Sequence, residues 1–199
     1  MDVSLREKFG VIAGIDEVGR GPLAGPLVAA AVVLPPDLDI PARDSKRLSD
    51  PRRRELAERI GKAALGVGLG KVDNDELDSM GLIPAVELAF RRTASALDME
   101  VGLYLIDGRP LKNLGFQAKF IVGGDDKSLS IACASIVAKV ARDDMMIEAD
   151  SLYSGYGFAA HKGYCTHAHL KALRIKGPCP IHRRSFNPLR ELSQLELGL

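Results

Sequence analysis

The sequence predicts an α/β fold: one mixed sheet of five strands, flanked by helices. Three observations lead there. Short apolar runs, Val11 to Ile15 and Leu27 to Leu34 first among them, are bounded by turn residues as buried strands are, and Ala64 to Val72 alternates with glycines as a third strand. The first two runs are joined by a short glycine-rich loop, which suits antiparallel pairing. The later runs alternate with helical segments, and a helix between strands of one sheet implies a parallel crossover.

Val11 to Ile15 is the first strand and ends in Asp16-Glu17. Leu27 to Leu34 is the second, stopped by Pro35-Pro36, and Gly19-Arg20-Gly21-Pro22 between them is a loop by composition. Ser49-Asp50-Pro51 opens a basic helix, with Ser or Asp as cap and Pro in the first turn. Gly61 is its expected end, and Ala64 to Val72 forms the third strand. Pro84 to Leu97 is a helix whose Ile83, Val86, Phe90, Ala94 and Leu97 recur every three or four residues as one buried stripe. Val101 to Ile106 ends at Asp107-Gly108, and Ala118 to Val122 ends at Gly123-Gly124-Asp125-Asp126. Ser128 or Ser130 caps the next helix, which runs to about Ala149. Its small residues (Ala132, Cys133, Ala134, Ser135, Ala138, Ala141) suit close packing on a sheet. Thr166 to Ile175 is the last helix, ended by Gly177-Pro178.

A chain of 199 residues with 46% hydrophobic and 27% charged residues is read as one domain, able to bury a core without disulfides. Met1 to Gly10 is charged throughout, and no apolar run reaches the roughly 18 residues of a membrane span. The expectation is a cytoplasmic protein with no membrane partner. Three cysteines, Cys133, Cys165 and Cys179, are an odd number and are read as reduced thiols. The net charge of +1 does not announce a nucleic-acid binder, but its distribution is uneven. His161 to Arg190 holds seven Lys or Arg, all four histidines and no acid. A cationic face for a phosphate backbone has this composition, and so does a solvated basic tail.

Three apolar strands end in acid beside glycine: Ile15-Asp16-Glu17, Ile106-Asp107-Gly108 and Gly124-Asp125-Asp126. Ligands of open α/β sheets gather at the carboxyl ends of the strands. Carboxylates brought together there repel one another, and burial penalises their charge further. A hard divalent cation, Mg²⁺ or Mn²⁺, relieves both penalties, since no thiolate competes. Two such ions can serve an in-line phosphoryl displacement. Any one of these acids alone is as readily a turn former.

The blocks that carry the chemistry also resemble a family. Gly14-Ile15-Asp16-Glu17-Val18-Gly19-Arg20-Gly21-Pro22-Leu23-Ala24-Gly25-Pro26 is similar to the opening signature of type 2 ribonuclease H (ribonuclease HII), in its bacterial form. Asp44-Ser45-Lys46-Arg47-Leu48-Ser49, Leu105-Ile106-Asp107-Gly108, and Gly124-Asp125 through Ala134-Ser135-Ile136-Val137-Ala138-Lys139-Val140-Ala141-Arg142-Asp143 continue it. His161-Lys162-Gly163-Tyr164-Cys165-Thr166-His167-Ala168-His169 and His182-Arg183-Arg184-Ser185-Phe186 close it, in the family's order.

The resemblance implies an RNase H-like fold with a helical C-terminal part, from about residue 150, over the substrate. It implies an endonuclease acting on RNA–DNA hybrids and on single ribonucleotides in duplex DNA. Such an enzyme cuts 5′ to the ribonucleotide and leaves 3′-hydroxyl and 5′-phosphate ends. The family's four metal-binding acids fall on Asp16, Glu17, Asp107 and Asp125. In the family, ten residues separate the fourth acid from the Ala-Ser-Ile serine, and counting back from Ser135 selects Asp125 over Asp126. Many relatives carry Lys before this acid, where this chain has Gly124. The resemblance gives Gly19, Arg20 and Gly21 the reading of the 2′-hydroxyl, which distinguishes RNA from DNA, and makes Tyr164 a platform for the following sugar. Lys46, Lys139, Arg142, Arg183 and Arg184 are phosphate-contact candidates, although Lys139 and Arg142 could instead pair with Asp143, Asp144 or Glu148.

Rival readings are a type 3 ribonuclease H, a non-catalytic nucleic-acid-binding module, and a zinc protein using His161, Cys165, His167, His169, Cys179 and His182. Only 10 residues precede the first strand and Gly-Arg-Gly is present, which favours type 2 over type 3. The His and Cys spacings fit no paired zinc pattern. A monomer is expected, and Pro188 to Leu199 shows no aromatic sliding-clamp motif.

Overall fold

The computed structural model describes residues 1–38, 40–42 and 48–191. Lys46 and the segment 192–199 lie outside the described residues. The five strands are β1 (Ile12–Val18), β2 (Leu27–Val33), β3 (Gly66–Val72), β4 (Leu103–Asp107) and β5 (Ala118–Ile121). They form one sheet in the order β3-β2-β1-β4-β5. β1 pairs antiparallel with β2, and β2 with β3. β4 runs parallel to both β1 and β5. The mixed five-stranded sheet is the one expected, but its connections depart from the expected rule: β2 and β3 pair antiparallel with α2 between them, and β4 and β5 pair parallel with no helix between them among the described residues.

The helices are α1 (Asp2–Phe9), α2 (Asp50–Ala63), α3 (Asn74–Met80), α4 (Leu82–Ser95), α5 (Gly124–Lys127), α6 (Leu129–Leu152), α7 (Phe158–His161) and α8 (His167–Lys176). Side-chain alternation along β1 separates two layers. Ala13 and Ile15 join the core that contains Val86, Ala89 and Phe90 of α4. Ile12, from the other face, packs with Ile131 of α6. β2 is buried along its whole length, as its uninterrupted apolar run requires.

α6 lies on the sheet as closely as its small residues allow. A Cβ on Gly14 would fall 2.1 Å from the Ser130 carbonyl carbon, so only glycine fits under the helix. Ser128 caps α6, accepting from the Ile131 amide at 3.3 Å. The Asp2 carboxylate accepts from Ser128 Oγ, Ser130 N and Ser130 Oγ, which puts an anion from α1 at the helix's positive end. A separate apolar cluster carries the C-terminal part: Leu23 and Ala24 pack with Met146, Phe158, Leu173 and Leu189.

Several expectations are corrected. Gly61 lies inside α2, which continues to Ala63. Ile83 is 48% exposed; Ala85, Ala89 and Thr93 complete the buried face of α4 instead. α1 and α3 were not expected, nor were the single turns α5 and α7.

Candidate active site

The sheet register brings the acids together. Ile15 pairs with Ile106, so Asp16 and Asp107 follow on neighbouring parallel strands, whose spacing is about 4.8 Å. Leu103 and Leu105 share Ile12's face of the sheet, so by alternation Asp107 stands on the α6 side with Asp16. Glu17 alternates to the other side. Asp125 lies in α5, just beyond β5, and is 5% exposed. The preceding residue joins the two elements, because Gly124 N donates to Asp107 Oδ1 at 2.6 Å. Gly124 is closely packed: a Cβ there would come 2.7 Å from Ile131 Cδ1 and 3.2 Å from Asp107 Oδ1.

Asp16, Glu17 and Asp107 line a cavity of about 380 Å³ together with Arg53, Ser135, Lys139 and Tyr164. Glu17 and Asp107 also border a second cavity of about 670 Å³, walled by Arg20, Ile83, Phe90 and Arg109. Burial first, then the charge of Glu17, pushes the Asp16 carboxyl up to about 7, and Asp107 adds to the effect. The Ser135 side chain and the Glu17 amide oppose it by hydrogen bonding to Asp16. Glu17 is also raised, by burial first and against the pull of Arg20, whose Nη1 lies 3.1 Å from Glu17 Oε1.

As the side chains stand, no three His, Cys, Asp or Glu groups among the described residues close tightly enough to hold an ion. Glu17 is turned to Arg20, and Asp107 to the Gly124 amide. The donor set nevertheless suits a hard divalent cation. It is oxygen-only, desolvated and mutually repelling, and a cation reverses those penalties. Asp16, Glu17, Asp107 and Asp125 are the residues that would hold it, with Glu17 leaving Arg20.

The Gly19–Gly21 loop follows β1 directly. Gly19 has φ +94°, and a Cβ there would fall 2.3 Å from Arg142 Nε. Arg20 and Gly21 are exposed. Two arginines hold the segment that follows. Arg142 donates to the carbonyls of Pro26 (2.9 Å), Ala24 (3.1 Å) and Lys162 (3.0 Å). Arg183 donates twice to Gly25 O (2.9 and 2.8 Å) and once to Arg20 O (3.3 Å). Both side chains are fully buried. Burial lowers both pKa values, Arg183 to about 9 with the charge of Arg142 contributing. Arg142 and Arg183, expected as phosphate contacts, instead stand buried with three bonds each to main-chain carbonyls. Each charge-assisted bond contributes about 1.5–3 kcal/mol, while burying a cation costs several kcal/mol. The terms largely offset, so what the arrangement secures is loop geometry more than stability.

α6 reaches the whole site because it runs beside β1. Ser130 meets Gly14, Ser135 meets Asp16 and Arg142 meets Gly19. Residues 14 to 19 of an extended chain advance roughly 17 Å, and residues 130 to 142 of a helix about 18 Å. Tyr164, between α7 and α8, is 42% exposed, and its ring centroid lies 5.9 Å from Arg142 Cζ. Lys139 lines the carboxylate cavity and pairs with Asp143 at 2.5 Å. Arg184 is exposed, with its amide donating to Asp78 at 2.6 Å. Sequence reasoning gave no role to Arg53, which projects from α2 into the carboxylate cavity, or to Arg109 beside Asp107. The basic run Arg52-Arg53-Arg54 was the available signal for the first.

Comparison with known proteins gives the family and the fold. A family model described as Ribonuclease HII matches residues 13–188. A ribonuclease HII of Geobacter sp. (strain M21) is 50% identical over 94% of this chain and 82% of its own. One from Moorella thermoacetica is 50% identical over 91% of this chain and 88% of its own. The crystal structure of the ribonuclease H2 from Pyrococcus horikoshii OT3 superposes with a TM-score of 0.80 at 23% identity, covering 95% of this chain and all of that one, which establishes the shared RNase H-like fold. No helix among the described residues is long and apolar enough to cross a membrane. The chain belongs to the ribonuclease HII family and is a ribonuclease H, a metal-dependent endonuclease that hydrolyses RNA paired with DNA.

Proposed function

We propose that this enzyme cleaves the phosphodiester 5′ to a ribonucleotide, both in RNA–DNA hybrids and at single ribonucleotides in duplex DNA. The observation that carries this reading is one cavity shared by Asp16, Glu17, Asp107 and Tyr164, beside the Gly19–Gly21 loop. Two Mg²⁺ or Mn²⁺ ions bound by Asp16, Glu17, Asp107 and Asp125 would activate water and stabilise the leaving 3′-oxygen. The chain's own residues select and align the strand. Main-chain groups of Gly19, Arg20 and Gly21 meet the 2′-hydroxyl, with the loop fixed by Arg142 and Arg183. Tyr164 packs against the next sugar. Lys46, Lys139, Arg53 and Arg184 supply phosphate contacts, which position the strand without reading sequence.

The test is a duplex DNA carrying one ribonucleotide, incubated with Mg²⁺ or Mn²⁺. A nick on the 5′ side leaving 3′-hydroxyl and 5′-phosphate ends is expected, and Asp16→Asn should lose roughly a thousandfold or more in kcat/KM. No product with either metal, or full activity in Asp16→Asn, overturns the reading.

A further inference from the structure

Three histidines at the C-terminal part take no part in the chemistry above, yet their rings are arranged in sequence. His182 Nδ1 lies 2.9 Å from Cys179 N and 3.2 Å from Cys179 O; the shorter contact, an amide that can only donate, makes that nitrogen the acceptor in the neutral ring. The ring proton of His182 is then on Nε2, 3.0 Å from His169 Nε2. His169 Nε2 must accept, which leaves its proton on Nδ1, 2.9 Å from the Tyr164 carbonyl. Each ring thereby fixes the tautomer of the next. His161 is fixed in its own way: Nδ1 accepts from Gly163 N at 3.2 Å, and Nε2 lies 2.8 Å from the Tyr156 carbonyl. Its ring stacks on His169 with centroids 4.5 Å apart.

The main chain around His182 is tied to the other substrate-reading element. His182 bridges Ala24, Gly25 N donates to Ile181 O at 2.9 Å, and Arg183 N donates to Leu23 O at 2.8 Å. One end of the histidine chain therefore stands on the segment after Gly-Arg-Gly, and the other holds Tyr164. Burial and the neighbouring histidines keep both rings neutral, His182 at about 4 and His169 below its ordinary value. Among the described residues the titratable groups around the pair are His161, Tyr156, Tyr164 and Cys179. All six ring nitrogens are engaged, which leaves none for a metal, and His169 and His182 are too buried to meet substrate.

We propose that the His182–His169 hydrogen bond is a positioning link that sets Tyr164 at a fixed distance from the Gly19–Gly21 loop. The ribose read by the loop and the sugar packed on Tyr164 are then held one nucleotide apart. The proposal rests on the sugar-platform reading of Tyr164. It differs from a general structural role because its effect passes through that one side chain.

The experiment is a double-mutant cycle read by nicking of the single-ribonucleotide duplex. His182→Ala should lower kcat/KM roughly ten- to hundredfold in the wild-type background, and cause little further loss in Tyr164→Ala. His182→Gln, which keeps an N–H donor at the position of Nε2, should restore most of the activity. Because His182→Ala removes buried packing and can fail to fold, ¹⁵N-histidine NMR of the unmutated enzyme is the companion measurement. It should show His182 protonated on Nε2 and His169 on Nδ1. Equal fold losses in both backgrounds, or the opposite tautomers, overturn the link while leaving the nuclease reading standing. Unimpaired nicking by Tyr164→Ala overturns the platform reading and the link with it. No nicking by the unmutated enzyme overturns the nuclease reading itself.

Discussion

Two adjacent acids, Asp125 and Asp126, have identical chemistry and different surroundings. Asp125 is buried beside Gly124, whose amide holds Asp107, whereas Asp126 is exposed. Asp125→Asn should therefore cost about a hundredfold or more in metal-supported nicking, and Asp126→Asn less than about threefold, on the scale of a metal ligand against a bystander. Steady-state rates at saturating Mn²⁺ decide between them, and equal losses would reject the assignment. The family resemblance selects Asp125 by its ten-residue interval to Ser135, and the burial of that residue supports the choice. Sequence was not enough for Arg142 and Arg183, because a guanidinium that meets phosphate and one that meets carbonyls read alike in sequence. What separates the two cases is the folding back of residues 23–26 onto the C-terminal part, which no local pattern records.

At the level of elements, α6 and β1 act as one unit, since each contact along them serves the site. Gly14→Ala puts a methyl against the backbone of Ser130, which cannot yield without moving the helix. A loss of at least about 3 kcal/mol of unfolding free energy is expected, at the upper end of overpacking costs. Urea denaturation measures it, and a loss under about 1 kcal/mol would show that α6 stands off the strand. β2 was legible because burial on both faces leaves an apolar run, whereas β3, with one face exposed, was legible from its alternation with glycines. α1, α3, α5 and α7 were not, since helices of four to eight residues draw their stability from tertiary contacts more than from periodicity. Ile83 shows a related limit: its spacing matches the buried stripe, yet it lies in the first turn of α4 and opens onto the cavity beside Glu17.

For the molecule as a whole, the carboxylate cluster couples folding to pH and to cations. Asp16 keeps its proton in the fold up to about 7 and releases it near 3.8 in the unfolded chain. Between those values the folded state binds more protons, so this group's contribution to metal-free stability falls as pH rises. His182 works in the opposite sense: its folded value is about 4 against 6.5 unfolded, so its contribution rises with pH across that window. The informative quantity is then the difference between the unmutated enzyme and Asp16→Asn. Thermal melts without metal should show the enzyme losing Tm relative to Asp16→Asn between about pH 4 and 7. Excess Mg²⁺ or Mn²⁺ should recover that loss most strongly near neutral pH, by binding the folded state alone. A difference that stays flat with pH would place the Asp16 proton elsewhere.

The two bonds from Arg183 to the Gly25 carbonyl join residues 158 positions apart. Translation supplies the acids first: once Asp125 has left the ribosome, Asp16, Glu17 and Asp107 have left it too. The partner of Gly25 is still to be made. A growing chain, folding from its amino end, thus passes through a stage that owns all four proposed cation ligands and lacks the grip on the loop proposed to read the sugar. On the proposed function, the stretch synthesised up to Arg183 would turn a site able to hold ions into one able to choose its substrate.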